Sequence, residues 1–286
     1  MKTINRPEKT GKQEMIKGLR VLTVFVALTA LFLTTSAYAE RAADYVAKGD
    51  TYYQNRAQGH QGDWAVTGPI EKAIESYLKA YEMGDDSPEL VAKLMQATYF
   101  YATYAEKDEK KQKAALQRAV DIGEKALKKN PDHAVLNYQM GGCWGRWGEV
   151  NGIFASAKEG VADRVREHAR KVVKANAEYA HAGGYRTLGR LHFLAPRIPF
   201  ILSWPRHEKS VEFLEKAVAA GPANLTNHLF YAESLIKSDR YDEALRELNI
   251  VIDAEVNEAK VVEVLRDKKA AKELMEKYSK KLVAKK

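Results

Sequence analysis

Short side chains recur along this chain at a fixed helical spacing, and that recurrence limits the fold more than any other feature. "IEKAIESYLKAYEMG" carries Ala73, Tyr77 and Ala80, and "QRAVDIGEKALKKNP" carries Ala119, Gly123, Ala126 and Pro131. "HEKSVEFLEKAVAAGP" carries Ser210, Leu214, Ala217 and Pro222, and "RYDEALRELNIVID" carries Ala244, Leu248 and Val251. Each stretch places a small residue, a second position four residues later and a third three residues after that, which is one face of an α-helix. Upstream small residues fit a preceding helix: Gly49 in "YVAKGDTYY", Gly141 in "YQMGGCW", Gly189 in "YRTLGRLHF" and Ala232. Two antiparallel helices approach closely only where side chains are short, so the pattern predicts nested helical pairs. Two-residue alternation is missing, which argues against strands.

A small residue on a first helix, followed by this triplet and a trailing proline on a second, is the pattern of the tetratricopeptide repeat. The chain therefore reads as all-α, a tetratricopeptide-like helical-repeat superhelix of about five pairs with long inter-helix insertions and a C-terminal capping helix. The pairs are expected at 41–84, 88–131, 132–181, 182–222 and 225–254, with the cap near 257–283. The third is the loosest, since "ADRVREHARKVVKANAEYA" offers Ala169 and Val173 but no clean third position. A regular repeat separates its two small positions by twelve residues, as Ala232 and Ala244 do. Gly49 to Ala73 is 24, Gly141 to Ala169 is 28 and Gly189 to Ser210 is 21. Three insertions result, "NRAQGHQGDWAVTGP", "GRWGEVNGIFASAKEG" and "APRIPFILSWPR". Loop lengthening costs only about 0.6 kcal/mol per doubling, so the array tolerates them.

The division expected is a leader over 1–39, the repeat array over 40–256 and a basic capping helix and tail over 257–286. The leader has basic residues from Lys2 to Arg20, the apolar run "VLTVFVALTALFL" and small residues at Ala37 and Ala39. That is a secretory signal cleaved near Ala39, or an inner-membrane anchor if it is retained. Its apolar run is shorter than the roughly 20 residues of a comfortable span. The expected location is the periplasm. The net charge of +8 is concentrated at the ends. The leader holds six basic and two acidic residues and 257–286 ten basic and five acidic, leaving about one net negative charge on the body. A nucleic-acid binder carries its basic surface on the folded body, so nucleic acid is not an expected partner. The Lys-rich tail reads as a solvated helix, with contact to anionic lipid as the alternative. Any membrane contact is expected through the leader or this tail.

The insertion after Gly189 is unusual for a surface loop. Pro196, Pro199 and Pro205 keep it from extending either helix, while Ile198, Phe200, Ile201, Leu202 and Trp204 make it oily. Large apolar side chains left in water forgo about 1.5–3 kcal/mol of burial each. The segment should therefore cover something. Either it folds back as a plug against Trp144, Trp147 or Phe154, or it lines an apolar groove for a partner, a hydrophobic ligand or a membrane. The candidate surface comprises Trp144, Trp147, Phe154, Phe193, Arg197, Ile198, Phe200, Ile201, Trp204 and Arg206, with the two arginines keeping the loop ends in water or meeting an acidic partner. Trp64 is a further rim aromatic.

Catalytic chemistry has little to stand on. The seven histidines form no recognisable metal spacing. His192 falls on a packing position, and His228 takes the place of the repeat's usual tryptophan. Cys143, the single cysteine, lies in "QMGGCWGRW" and reads as a packed small residue. "GGCWGRWG" does not follow a strand, which argues against a phosphate loop. No catalytic residue, metal or cofactor is expected.

"LNYQMGGCWGRWGEVNG", "GGYRTLGRLHF" with "HEKSVEFLEKAV", and "NLTNHLFYAESLIKSDRYDEALRELNIVI" resemble the T component of TRAP transporters, the TatT family. The resemblance covers most of 70–255 and is strongest over 132–255. Two departures accompany it: no lipoprotein cysteine follows the leader, and "APRIPFILSWPR" has no glycine where family members have glycine-rich connections. The resemblance implies a non-enzymatic periplasmic accessory protein that partners a solute-binding protein. Two other readings stay open, a general scaffold for envelope or electron-transfer complexes and a carrier of hydrophobic small molecules. A homo-oligomer is also compatible with the sequence.

Overall fold

The structure is a computed structural model that describes residues 40–198 and 202–283. The leader, with its cleavage site, and Pro199, Phe200 and Ile201 lie outside the described residues. Helix α1 covers 40–54. It is followed by α2 (Thr67–Glu82), α3 (Pro88–Phe100) with a terminal π-turn (Tyr101–Ala105), α4 (Glu109–Lys129), α5 (Ala134–Asn151) and α6 (Ile153–Lys158). Then come α7 (Val161–Ala175), α8 (Tyr179–Leu194), α9 (His207–Ala220), α10 (Leu225–Lys237), α11 (Tyr241–Asp253), α12 (Val261–Lys277) and α13 (Ser279–Val283). The described residues contain no strand, only isolated bridges at Gln61–Trp64 and Ile198–Leu202.

The helices stack as consecutive pairs, α1/α2, α3/α4, α5/α7, α8/α9 and α10/α11, each in contact with the next. This is the expected all-α repeat superhelix. The small residues sit where helices nest. A Cβ on Gly49 would meet the Tyr77 ring at 2.4 Å, and one on Gly189 would meet Leu214 Cγ at 2.4 Å. The triplet positions Ala73, Leu214, Ala217, Ala244, Leu248 and Val251 are fully buried. Helix starts are capped by short polar side chains: Ser87 accepts from Leu90 N ahead of α3, and Asp108 accepts from Lys110 N and Lys111 N ahead of α4.

The second insertion begins later than the sequence suggests. Helix α5 runs through Gly145 and Gly148 to Asn151, because glycine permits a helix to break without forcing it. The break comes at Gly152, φ 85°, and α7 starts from Gly160, φ 63°. Helix α8 opens with an unforeseen left-handed turn at Ala180, His181 and Ala182, with φ between 53° and 60°. Its carbonyls are engaged: His181 O accepts from Asn227 Nδ2 at 3.0 Å and from Arg186 Nη1 at 3.3 Å.

Helix α12 caps α10 and α11, and it also reaches the other end of the array. Val262, fully buried, belongs to the core formed by α1 to α7, while Ala271 belongs to the core of α9 to α11. Arg56 pairs with Glu263 at 2.8 Å and donates to Ala259 O at 2.6 Å. Arg266 donates to Thr103 O at 2.6 Å and to Asp63 O at 2.7 Å, and Lys269 meets Asp63 at 3.3 Å. One helix thus joins the first and last turns of the superhelix.

Candidate functional site

The apolar insertion between α8 and α9 folds back on the preceding pair. Ile198 and Leu202 exchange backbone hydrogen bonds at 2.8 and 2.7 Å, which pinches the insertion at that point. Beyond the pinch, Trp204 Nε1 donates to Asp163 at 2.9 Å, and the Arg166 guanidinium lies 4.0 Å from the ring centre. His192 meets the same ring edge-on at 5.1 Å, and its Nδ1 accepts from Arg206 N at 3.0 Å. Burial, with Arg166 and Arg170 nearby, lowers the His192 pKa, consistent with a neutral ring that accepts this bond. Trp204 is therefore held by α7 and α8, not by Trp144, Trp147 or Phe154. Arg197 and Arg206 are exposed, and Ile198 is half-buried.

The two other tryptophans do not join it. Trp144 and Trp147 are 4% and 8% exposed, pack edge-to-face at 5.5 Å, and sit in the core. Trp147 Nε1 donates to Gln117 at 2.8 Å, and Arg164 covers Trp144 at 4.8 Å. These side chains present no face to a partner, which corrects their assignment to a binding surface. Arg164 lies over Trp144 and Arg166 over Trp204. Positions two apart on a helix point to different sides, so α7 separates the two clusters. Phe154, on the short α6, is 89% exposed and isolated from both. Among the described residues, 144–154 and 193–206 do not come together as the expected joint surface.

Phe193 faces elsewhere. Its ring lies 5.2 Å from the Arg190 guanidinium and 4.9 Å from Lys237 Nζ, at the edge of a cleft of about 400 Å³ between α8, α10 and the C-terminal helices. Ile236 and Leu274 contribute apolar surface, Tyr241 and Tyr278 aromatic walls, and Lys237, Lys277 and Lys281 the charged rim. The two acids of the cleft are committed: Glu233 pairs with Arg190, and Asp239 accepts from the Tyr241 hydroxyl at 2.6 Å. Burial raises the Glu233 pKa despite Arg190. Of the sequence candidates, only Phe193 lines this cleft. Lys277, Tyr278 and Lys281 were missed because the C-terminal segment reads as a solvated helix; Lys237 and Tyr241, on α10 and α11, lie outside it. A second depression, about 490 Å³, runs along α7 beside Arg166, Arg170, Lys171 and Lys174.

Polar contacts continue along the same face toward the first turn. Arg186 donates to Tyr138 Oη at 2.7 Å and to Asn227 at 2.9 Å, linking α5, α8 and α10. Thr226 donates to Asp267 at 2.7 Å, and burial pushes the Asp267 pKa up to about 6. Trp64 lies against Arg266 at 4.4 Å and Lys107 at 5.1 Å, so this aromatic serves the closure of the array.

The remaining reactive types are occupied. Cys143 is buried, and burial pushes its thiol up to about 12. His168 bonds Asn137 at 2.9 Å, and burial lowers its pKa to about 4. His228 faces Pro222 O at 2.8 Å and Glu247 at 2.5 Å, two acceptors that raise its pKa and favour the imidazolium against the opposing effect of burial. Among the described residues there is no group of three His, Cys, Asp or Glu side chains suited to a metal ion, and no helix long and apolar enough to cross a membrane.

Known structures share the architecture. A thermophilic TPR protein from Thermus thermophilus is similar at 14% identity and a TM-score of 0.56, with 80% of this chain and 98% of that one covered. The pilF protein of Pseudomonas aeruginosa is similar at 16% identity and a TM-score of 0.51, with 87% and 95% covered. Likeness at this level of identity shows the fold alone. No curated protein matches the sequence. A tetratricopeptide-repeat family model matches residues 206–267, which hold α9 to α11 and the start of α12. The longer match, over 46–201, takes in more than half of the chain, and by it the chain belongs to the family described as Regulator of microtubule dynamics protein 1-3.

Proposed function

We propose that this protein works by binding, as a non-enzymatic helical-repeat scaffold that holds a protein partner in the cleft beside Phe193. The observation that carries this reading is the open, mixed apolar and cationic cleft on the face shared by α8, α10 and the C-terminal helices. Its supports are the repeat fold, which presents extended concave surfaces, and a family description that names a regulator. The buried thiol and the internally bonded His168 and His228 favour binding over chemistry.

The specific form we propose is periplasmic: an accessory protein resembling the T component of TRAP-type uptake systems, beside a solute-binding protein. The leader and the resemblance over 132–255 support it. Affinity capture from the native envelope, with the leaderless chain as bait, tests both levels. A solute-binding protein recovered in stoichiometric amount is the expected result. A different stoichiometric partner removes the uptake role and keeps the scaffold. Bait that recovers lipid-like molecules and no stoichiometric protein contradicts the scaffold itself.

A further inference from the structure

The cleft at Phe193 has a chemistry that narrows its occupant. Lys237, Lys277 and Lys281 are exposed at its rim. Some lysines elsewhere pair with acids one turn away, as Lys79 does with Glu75 and Lys216 with Glu212. Among the described residues, none of the three rim lysines has an acidic partner within salt-bridge distance. Instead Lys237 lies by the Phe193 ring at 4.9 Å and Lys277 by the Tyr278 ring at 5.4 Å, and Lys281 donates to the Tyr241 hydroxyl at 3.1 Å. Of the two acids lining the cleft, Glu233 pairs with Arg190, and Asp239, which accepts from the Tyr241 hydroxyl, sets one carboxylate against three lysines. The rim is thus positive, and the most basic stretch of the chain supplies much of it.

We infer that the cleft receives an acidic, extended segment of the partner protein, its carboxylates on Lys237, Lys277 and Lys281 and one large apolar side chain against Phe193, Ile236 and Leu274. This deepens the scaffold reading and rests on it. Phe193 and Leu274 reward an apolar anchor that a free anion lacks.

The test uses the chain from residue 40 and a fluorescein-labelled peptide of glutamates around a single phenylalanine, read by fluorescence anisotropy. Saturable binding is expected, weakened about tenfold or more by joint Lys237→Glu, Lys277→Glu and Lys281→Glu substitution, and weakened by salt because the rim is exposed. The corresponding Lys→Gln variant should fall between. Replacing the peptide's phenylalanine with glycine should also weaken binding. Absence of binding, or equal binding by the charge-reversed variant, overturns the inference. So does preferential binding of phosphatidylglycerol vesicles through the same lysines. The variants are exposed, and circular dichroism checks their fold. A charge-reversed bait that still captures the native partner sinks the cleft assignment and leaves the scaffold standing; wild-type bait without a stoichiometric protein sinks the scaffold.

Discussion

Two glycines on helices, given the same methyl group, should move stability in opposite directions. Gly145 lies inside α5 with nothing within 4 Å of the place a Cβ would take, whereas Gly189 lies inside α8 against Leu214. Alanine in place of either glycine gains about 0.8–1.0 kcal/mol of helix propensity. At Gly189 the new carbon would stand 2.4 Å from Leu214 Cγ, 2.9 Å from Cδ2 and 3.2 Å from the Leu214 backbone nitrogen. Leu214 is fully buried and cannot swing into water. Overpacking of this kind costs about 1–3 kcal/mol, and the backbone contact means that α9 itself must move. Gly145→Ala should therefore stabilise by about 1 kcal/mol, and Gly189→Ala should destabilise by up to about 2 kcal/mol. In a chain of this size 1 kcal/mol is about 2–4 °C in Tm. Thermal and urea unfolding followed by circular dichroism reads both. A Gly189→Ala protein as stable as Gly145→Ala would refute close nesting of α8 on α9.

Three other perturbations follow from named contacts. His181→Gly should leave stability unchanged or raise it by about 1 kcal/mol in urea unfolding, since its side chain is exposed and its φ of 54° penalises any L-residue. Asp267 has a folded pKa raised to about 6, so its ionisation opposes folding above that pH and the opposition fades as pH falls toward its ordinary value. Asp267→Asn should then stabilise by on the order of 1 kcal/mol at pH 8 and give little gain at pH 4, checked by urea unfolding at both. Arg266→Ala removes two hydrogen bonds to Thr103 and Asp63 carbonyls and the contact over Trp64. It should cost about 2–3 kcal/mol and expose α12 to limited proteolysis while α3 to α5 stay protected.

The pairing of helices was legible because close approach demands small residues at set intervals, and those intervals survive every insertion. What fills the insertions was only half legible. The apolar character of the loop before α9 announced that it covers something. Its target, Asp163 and Arg166 on α7, was hidden because a cation–π seat leaves no spacing signal. The glycines near Trp144 suggested an early break, yet a helix ends where backbone geometry requires, here at Gly152. The left-handed turn at Ala180 to Ala182 uses no glycine and so announces nothing. The double role of α12 was illegible for a different reason. Its partners Arg56 and Asp63 stand about two hundred residues away, and only the curvature of the stack brings them together.

Hydrogen–deuterium exchange of the protein alone and with its captured partner tests the binding site most directly. Slowed exchange should concentrate at the end of α8, at the end of α10 with the turn into α11, and along the C-terminal half of α12. Slowing confined to the second helices α4, α7, α9 and α11, with those three segments unchanged, would contradict it.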